Sequence, residues 1–299
     1  MRPNASDSRL NELKQLGANF EILTDGYAIY VFAPVSNRLI DRLVELKQIR
    51  IIEFGVEAIP TAEQLSRMSA MSDLRKFSLS QRSGDPGAAL SFVKDLKCLE
   101  DVTCSTSDLG VQQLKLAPWI KRLDLGYAPI TNKSLAVIGQ LKNLNRLALN
   151  GTHISDGLEF LCDLENLNEL LLDNTQLGES SLIQFLDEFK GIDNLRRLSL
   201  SKMDIGDKSM EYIGRAKSLE FLALCSTKVT AKGLQNLLRC EKLRDLFFDG
   251  IDLRSEEIDV LSQLKGLKCL YVSSSKLSPT DEKLIRIALP KCEILRLNR

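Results

Sequence analysis

The 299-residue chain carries 40 basic and 40 acidic side chains, so its formal net charge is zero. Nucleic-acid binding takes most of its affinity from neutralised phosphates, and a balanced chain argues against that partner class. The 44% hydrophobic fraction is that of a folded protein, and no apolar run approaches the roughly 18 residues of a membrane-spanning helix. Seven scattered cysteines, an odd number, fit reduced thiols and a cytoplasmic setting better than a disulfide framework. The start, Met1 to Asp7, leads into polar residues and does not read as a secretory signal peptide.

Residues 7–16 read as a short helix with Asp7 or Ser8 as cap, Leu10, Leu13 and Leu16 on one face, and Gly17 closing it. Phe20 and Ile22 alternate on a strand, Thr24-Asp25-Gly26 marks a turn, and Tyr27 to Phe32 returns. Residues 1–48 are expected to form an N-terminal cap whose second strand joins a sheet edge. Residues 49–299 then form one continuous domain of about ten to eleven repeats.

The repeat motif is L-x-x-L-x-L. Clear copies are Leu74/Phe77/Leu79, Leu99/Val102/Cys104, Ile120/Leu123/Leu125, Leu144/Leu147/Leu149 and Leu167/Leu170/Leu172. Leu195/Leu198/Leu200, Leu219/Leu222/Leu224, Leu243/Leu246/Phe248 and Leu267/Leu270/Val272 continue it, with starts 24 residues apart. Weaker copies, Ile49/Ile52/Phe54 and Cys292/Leu295/Leu297, flank the series. Positions four and six differ by two, so on a strand both face the core.

A turn follows each strand, with a hydroxyl at Ser107, Thr152, Thr175, Thr227 or Ser275 suited to bonding turn backbone. An aliphatic comes two places later, at Ile130, Ile154, Leu177, Ile205, Val229, Leu253 and Leu277. Thr131-Asn132, Ser155-Asp156 and Thr230 suit helix N-caps. The returning helices bring apolar residues at helical spacing, such as Leu234, Leu237 and Leu238, or Ile258, Leu261 and Leu264. One copy breaks the pattern with a loop from Ser80 to Gly87, where Gly84 replaces the aliphatic. Another, starting at Leu167, runs 28 residues and is lengthened around Phe185, Phe189 and Ile192, enough for one more helical turn.

The stretch Leu144-Asn145-Arg146-Leu147-Ala148-Leu149-Asn150-Gly151-Thr152-His153-Ile154-Ser155-Asp156 resembles the leucine-rich-repeat superfamily. It is most like bacterial repeats reading L-x-x-L-x-L-x-x-T-x-I-T-D-x-x-L-x-x-L. The likeness covers roughly residues 49–297, and the ending Leu289 to Ile294 resembles how such chains finish. It implies an α/β fold, a leucine-rich-repeat solenoid or horseshoe with a parallel concave sheet and convex helices. For function it implies macromolecular recognition, usually of a protein, since one fold hosts many roles.

Catalytic chemistry finds little support. The single histidine, His153, sits in a turn with no nucleophile or orienting partner that the repeat places beside it. There is no C-x-x-C pair, no second histidine and no glycine-rich phosphate loop. No metal, no cofactor and no enzymatic activity is expected.

Positions three, five and seven of the motif point away from the core. Early repeats fill them with polar residues, among them Lys76, Ser78, Asp101, Thr103, Arg122, Asp124, Arg146, Asn150, Glu169 and Asp173. Later ones give Phe221, Ala223, Phe247 and Tyr271, with Leu171 upstream. Outward aromatics mark interaction sites, although rings on neighbouring strands also pack on one another.

A basic band, Arg75-Lys76, Lys121-Arg122, Arg196-Arg197, Arg244 and Lys268, suits an acidic partner or RNA. Charge ladders with Asp101, Asp124, Asp173, Asp245 and Asp249 weigh more heavily. The expected partner-binding set is Leu171, Phe221, Phe247, Tyr271, Arg122, Arg146 and Arg197. The expected function is a non-enzymatic scaffold, a monomer, holding a protein or peptide on its concave face. The alternatives are a nucleic-acid-associated protein using the basic band and a structural protein assembling through its last strand, Glu293 to Leu297.

Overall fold

The computed structural model describes residues 8–79, 85–248, 255–273 and 278–297. Asp7, Ser80 to Gly84, Asp249, Leu253, Ser275 and Leu277, all part of the sequence pattern, lie outside them. Contacts divide the chain into two units, Met1–Leu144 and Asn145–Arg299.

In the first unit, helix α1 (Ser8–Gln15) buries Leu10 and Leu13. Strand β1 (Ala18–Ile22) lies antiparallel to β2 (Tyr27–Val31). From β2 the strands run parallel in chain order through β3 (Ile49–Phe54), β4 (Lys76–Leu79), β5 (Asp101–Cys104) and β6 (Arg122–Asp124). The second cap strand thus joins the sheet, as its alternation predicts. The returns are α2 (Asn37–Glu45), α3 (Ala62–Arg67), a 3-10 helix over Gly87–Asp95, α4 (Asp108–Leu114) and α5 (Leu135–Ile138). Ser36 caps α2 by accepting from the Leu39 amide at 3.1 Å. Thr61 and Gln64 form a reciprocal capping box on α3.

In the second unit the parallel series is β7 (Arg146–Ala148), β8 (Glu169–Leu171), β9 (Arg197–Ser199), β10 (Phe221–Ala223), β11 (Asp245–Phe247), β12 (Cys269–Ser273) and β13 (Glu293–Leu297). Helices α6 (Glu179–Glu188), α7 (Asp207–Ile213), α8 (Ala231–Leu234), α9 (Ser255–Leu261) and α10 (Pro279–Ala288) return between them. The lengthened repeat carries the ten-residue α6 plus a 3-10 turn over Ile192–Asn194, with Phe185 and Phe189 buried and stacked at 4.8 Å.

The motif positions expected inside are inside. Leu147, Leu170, Leu198, Leu222, Leu246 and Leu270 are fully buried, as are the aliphatics Ile130, Ile154 and Val229. The turn hydroxyls of Thr152, Thr175 and Thr227 each donate to the carbonyl three residues back, at 2.7, 2.9 and 2.8 Å.

Four readings need correction. Leu238 is 40% exposed, because Gln235–Arg239 winds as a 3-10 helix. At three residues per turn, Leu234 and Leu237 align and Leu238 leaves the face. Ser155-Asp156 does not cap a helix; Gly157, at φ +90°, leads into a 3-10 turn over Leu158–Leu161. Ser107 is the N-cap residue of α4 rather than a turn hydroxyl. In the last copy Leu270 pairs with Ile294, so Ile294 takes the core column and Leu295 turns to the open face beside Tyr271.

Two devices recur from repeat to repeat. Two residues after the last core leucine the backbone turns left-handed, at Tyr127, Gly151, Asn174, Lys202 and Ser226, with φ between 56° and 65°. This conformation costs an L-residue about 1–2 kcal/mol. Gly151→Ala is therefore expected to lower stability by about 1 kcal/mol, read as a fall in urea midpoint, while the fold persists as it does around Lys202. An unchanged midpoint would show that the turn carries no strain.

The second device ties the starts of α4, α6 and α7 to the next repeat. Asp108 accepts from the Thr131 amide (2.9 Å) and hydroxyl (2.7 Å) and from the Ser134 hydroxyl (2.6 Å). Asp207 accepts from the Thr230 amide and hydroxyl, both at 2.7 Å. Glu179 takes the Gly206 and Ser209 amides at 2.9 and 3.2 Å. Thr230 occupies the predicted N-cap position but spends its hydroxyl on this link instead.

At the last repeat, Arg296 stands in register with the buried Val272, on the core side of β13. Its guanidinium is paired with Glu282 of α10, which also accepts from Arg286 at 2.6 Å. Those hydrogen bonds hold the Glu282 carboxyl below its usual range.

Candidate interaction face

Alternation along each strand sends positions three and five to the sheet face opposite the helices. In the first unit that face carries paired charges. Lys76 donates to Glu53 at 2.6 Å, and Arg122 donates to Asp101 at 2.9 Å. Arg122 is exposed and sits on β6.

In the second unit the register sorts the outward residues into two columns. One runs Arg146, Glu169, Arg197, Phe221, Asp245, Cys269, Glu293. The other runs Ala148, Leu171, Ser199, Ala223, Phe247, Tyr271, Leu295. Glu169 accepts from Arg146 at 3.0 Å and from Arg197 at 3.3 Å.

The Arg197 guanidinium lies 4.0 Å from the centre of the Phe221 ring, a cation–π contact. Phe221 packs diagonally on Phe247 at 5.0 Å and 46°, and Phe247 stacks on Tyr271 at 3.7 Å and 9°. Leu295 stands next in the column. The three rings are part-buried, packed against one another and, at Phe221, against Arg197.

Of the expected set, Arg146, Arg197, Phe221, Phe247 and Tyr271 therefore form one chain of contacts through Glu169. Leu171 lies on the same face but apart, because Ser199 and Ala223, both buried, separate it from Phe247. Arg122 belongs to the face of the first unit. Motif matching gives Leu295 a core position, whereas the constant step of 24 from Leu246 to Leu270 to Ile294 identifies the true register.

A second feature without a sequence signal is the exposed trio Phe32, Val56 and Ile59 (57, 51 and 52%) on the loops after β2 and β3. Gly55 lets the Phe32 ring approach, since a Cβ there would fall 2.8 Å from it.

Among the described residues, six of the eight named basic-band side chains meet carboxylates. Arg75 reaches Asp25, Lys76 Glu53, Lys121 Glu100, Arg122 Asp101, Arg196 Glu220 and Arg197 Glu169. Asp173 accepts instead from neutral donors, the Ser199 hydroxyl at 2.6 Å and the Ser201 amide at 2.7 Å.

His153 is an exposed turn residue. All seven cysteines are free thiols, and burial pushes Cys104 up to about 12. Among the described residues no cluster of three or more His, Cys, Asp or Glu is placed to hold a metal ion, and no helix is long and apolar enough to cross a membrane.

An internalin (InlF) from Listeria monocytogenes has a similar fold, with a TM-score of 0.66 over 93% of this chain and 90% of its own at 14% identity. The TLR13 chain of a TLR13–ssRNA13 complex aligns at a TM-score of 0.53 and 17% identity. It matches over 90% of this chain but only half of its own length. The protein LIC12759 of Leptospira interrogans aligns at 0.44 and 20% identity, over 87% of this chain and 81% of its own. No family model matches the chain, and the search of curated proteins finds no match.

Proposed function

We propose that this chain, an α/β leucine-rich-repeat solenoid by fold, is a non-enzymatic interaction scaffold that holds a protein or peptide on its open sheet face. The observation that carries this reading is the ladder Phe221–Phe247–Tyr271. Rigid, part-exposed rings on a sheet offer large contact area at low entropic cost, and aromatics dominate binding hot spots. The rings pack on one another within the chain, which favours a preformed surface.

Nucleic acid fits less well. Its affinity needs cations free to displace counterions, and most of the basic band is already matched to carboxylates on neighbouring strands.

The test compares quantitative capture from native lysate by the wild type and by a Phe221→Ala/Phe247→Ala/Tyr271→Ala variant of unchanged far-UV spectrum. A protein recovered by the wild type and lost by the variant is the expected result. Equal recovery by both would overturn the placement of the site on this face.

A further inference from the structure

We infer that the part of this face formed by β10 to β13 takes an extended basic segment of its protein partner, laying Arg or Lys side chains between the aromatic ladder and two carboxylates. The inference rests on the reading of the open face as the binding surface, and it adds the chemistry of what is bound.

On these four strands the outward positions supply three rings (Phe221, Phe247, Tyr271), Leu295 and the carboxylates Asp245 and Glu293, but no cation. The two guanidiniums of the unit's face, Arg146 and Arg197, lie on β7 and β9, and Glu169 holds both. Charge is therefore segregated along the face: matched at one end, acidic at the other. Arg244 and Lys268 precede β11 and β12 and stand outside the two outward columns.

Asp245 and Glu293 flank Cys269 as its cross-strand neighbours, which sets them two strand spacings, roughly 10 Å, apart. Burial first, then the hydrogen bond and charge of Asp245 and the charge of Glu293, push Cys269 above its ordinary value, with Lys268 opposing; at Tyr271 burial and Cys269 come before the same two carboxylates.

Such a surface repels phosphates and carboxylates and complements a cation. Guanidinium suits it best, being weakly hydrated and able to donate its planar fork to a carboxylate while its stem lies against the ladder. The geometry also limits the bound segment. From β10 to β13 is about 15 Å, four to five extended residues. A polyproline-type strand repeats its face every three residues, about 9 Å, which matches the carboxylate spacing. Basic residues three apart are the pattern expected.

The experiment is selection of a displayed random 12-residue peptide library on the wild-type protein, followed by binding of the enriched peptides to Phe247→Ala and to Asp245→Asn/Glu293→Gln. Melting curves of both variants establish that they fold. Expected are Arg- or Lys-containing sequences that lose at least about tenfold in affinity on each variant, the effect of removing a charge-assisted contact. Peptides lost on Phe247→Ala but neutral or acidic, or indifferent to Asp245→Asn/Glu293→Gln, would overturn the basic-segment inference and leave the face assignment standing. Peptides indifferent to Phe247→Ala would overturn the face assignment, and the inference with it.

Discussion

Leu222→Ala is expected to destabilise the protein by about 2–5 kcal/mol, while Phe247→Ala, one column over on the open face, leaves the melting transition close to that of the wild type. Leu222 is fully buried and stands between Leu198 and Leu246, its cross-strand partners, which are fully buried as well. Truncation removes the transfer free energy of the lost methyl groups and leaves a cavity. The neighbours cannot close it, because each leucine is fixed by strand register on both sides. In a repeat array the contacts of a residue are those to adjacent repeats, so the loss weakens two repeat interfaces at once. Urea denaturation of both variants reads the contrast. A wild-type midpoint for Leu222→Ala would contradict the core column, and a collapse for Phe247→Ala would make the ladder structural.

Asp108→Ala is expected to cost roughly 2–4 kcal/mol, since three hydrogen bonds to a charged acceptor vanish and the Thr131 amide is left part-buried without its partner. Asp108 is also the first residue of α4, where a negative charge meets the positive end of the helix dipole. Burial pushes its carboxyl up, but donation from Ser134 and Thr131 outweighs it and holds the group below its ordinary 3.8. A depressed folded pKa gives stability that is complete above the unfolded value and lost as pH falls through the folded one. The wild type should therefore lose stability on acidification below about pH 4, and Asp108→Ala should lose less over the same range. The check is a set of urea midpoints from neutral pH down to the acid limb. Parallel curves for the two proteins would show that the carboxylate does not link the repeats.

The repeat period, the core columns and the strand-to-turn order were all legible in the residues, because burial on a strand alternates and the step of 24 is regular. What escaped was set by register or by backbone geometry. The last copy was misread because Cys292, Leu295 and Leu297 mimic the motif locally, whereas hydrogen bonding to β12 places Ile294 opposite Leu270. Outward residues could be enumerated but not grouped. Phe221 stands in the column of Arg197 and meets Phe247 only diagonally, and Leu171 is cut off by two small buried residues. Leu238 was assigned inward on an α-helical step that the chain does not take there. The left-handed turns at Tyr127 and Lys202 had no signal, since neither residue type favours that conformation.

Arg296 changes the chemistry of the column in which it stands. Its register partner on β12 is the buried Val272, and a repeat stacked on β13 would have to set its own core against that column. Here it would meet a guanidinium already engaged by Glu282, and covering that pair would desolvate both charges at a cost of several kcal/mol per ion. An inward-pointing charge also discourages pairing by foreign strands at a sheet edge. Stacking a designed repeat on β13 would therefore begin with replacing Arg296 and Glu282 together.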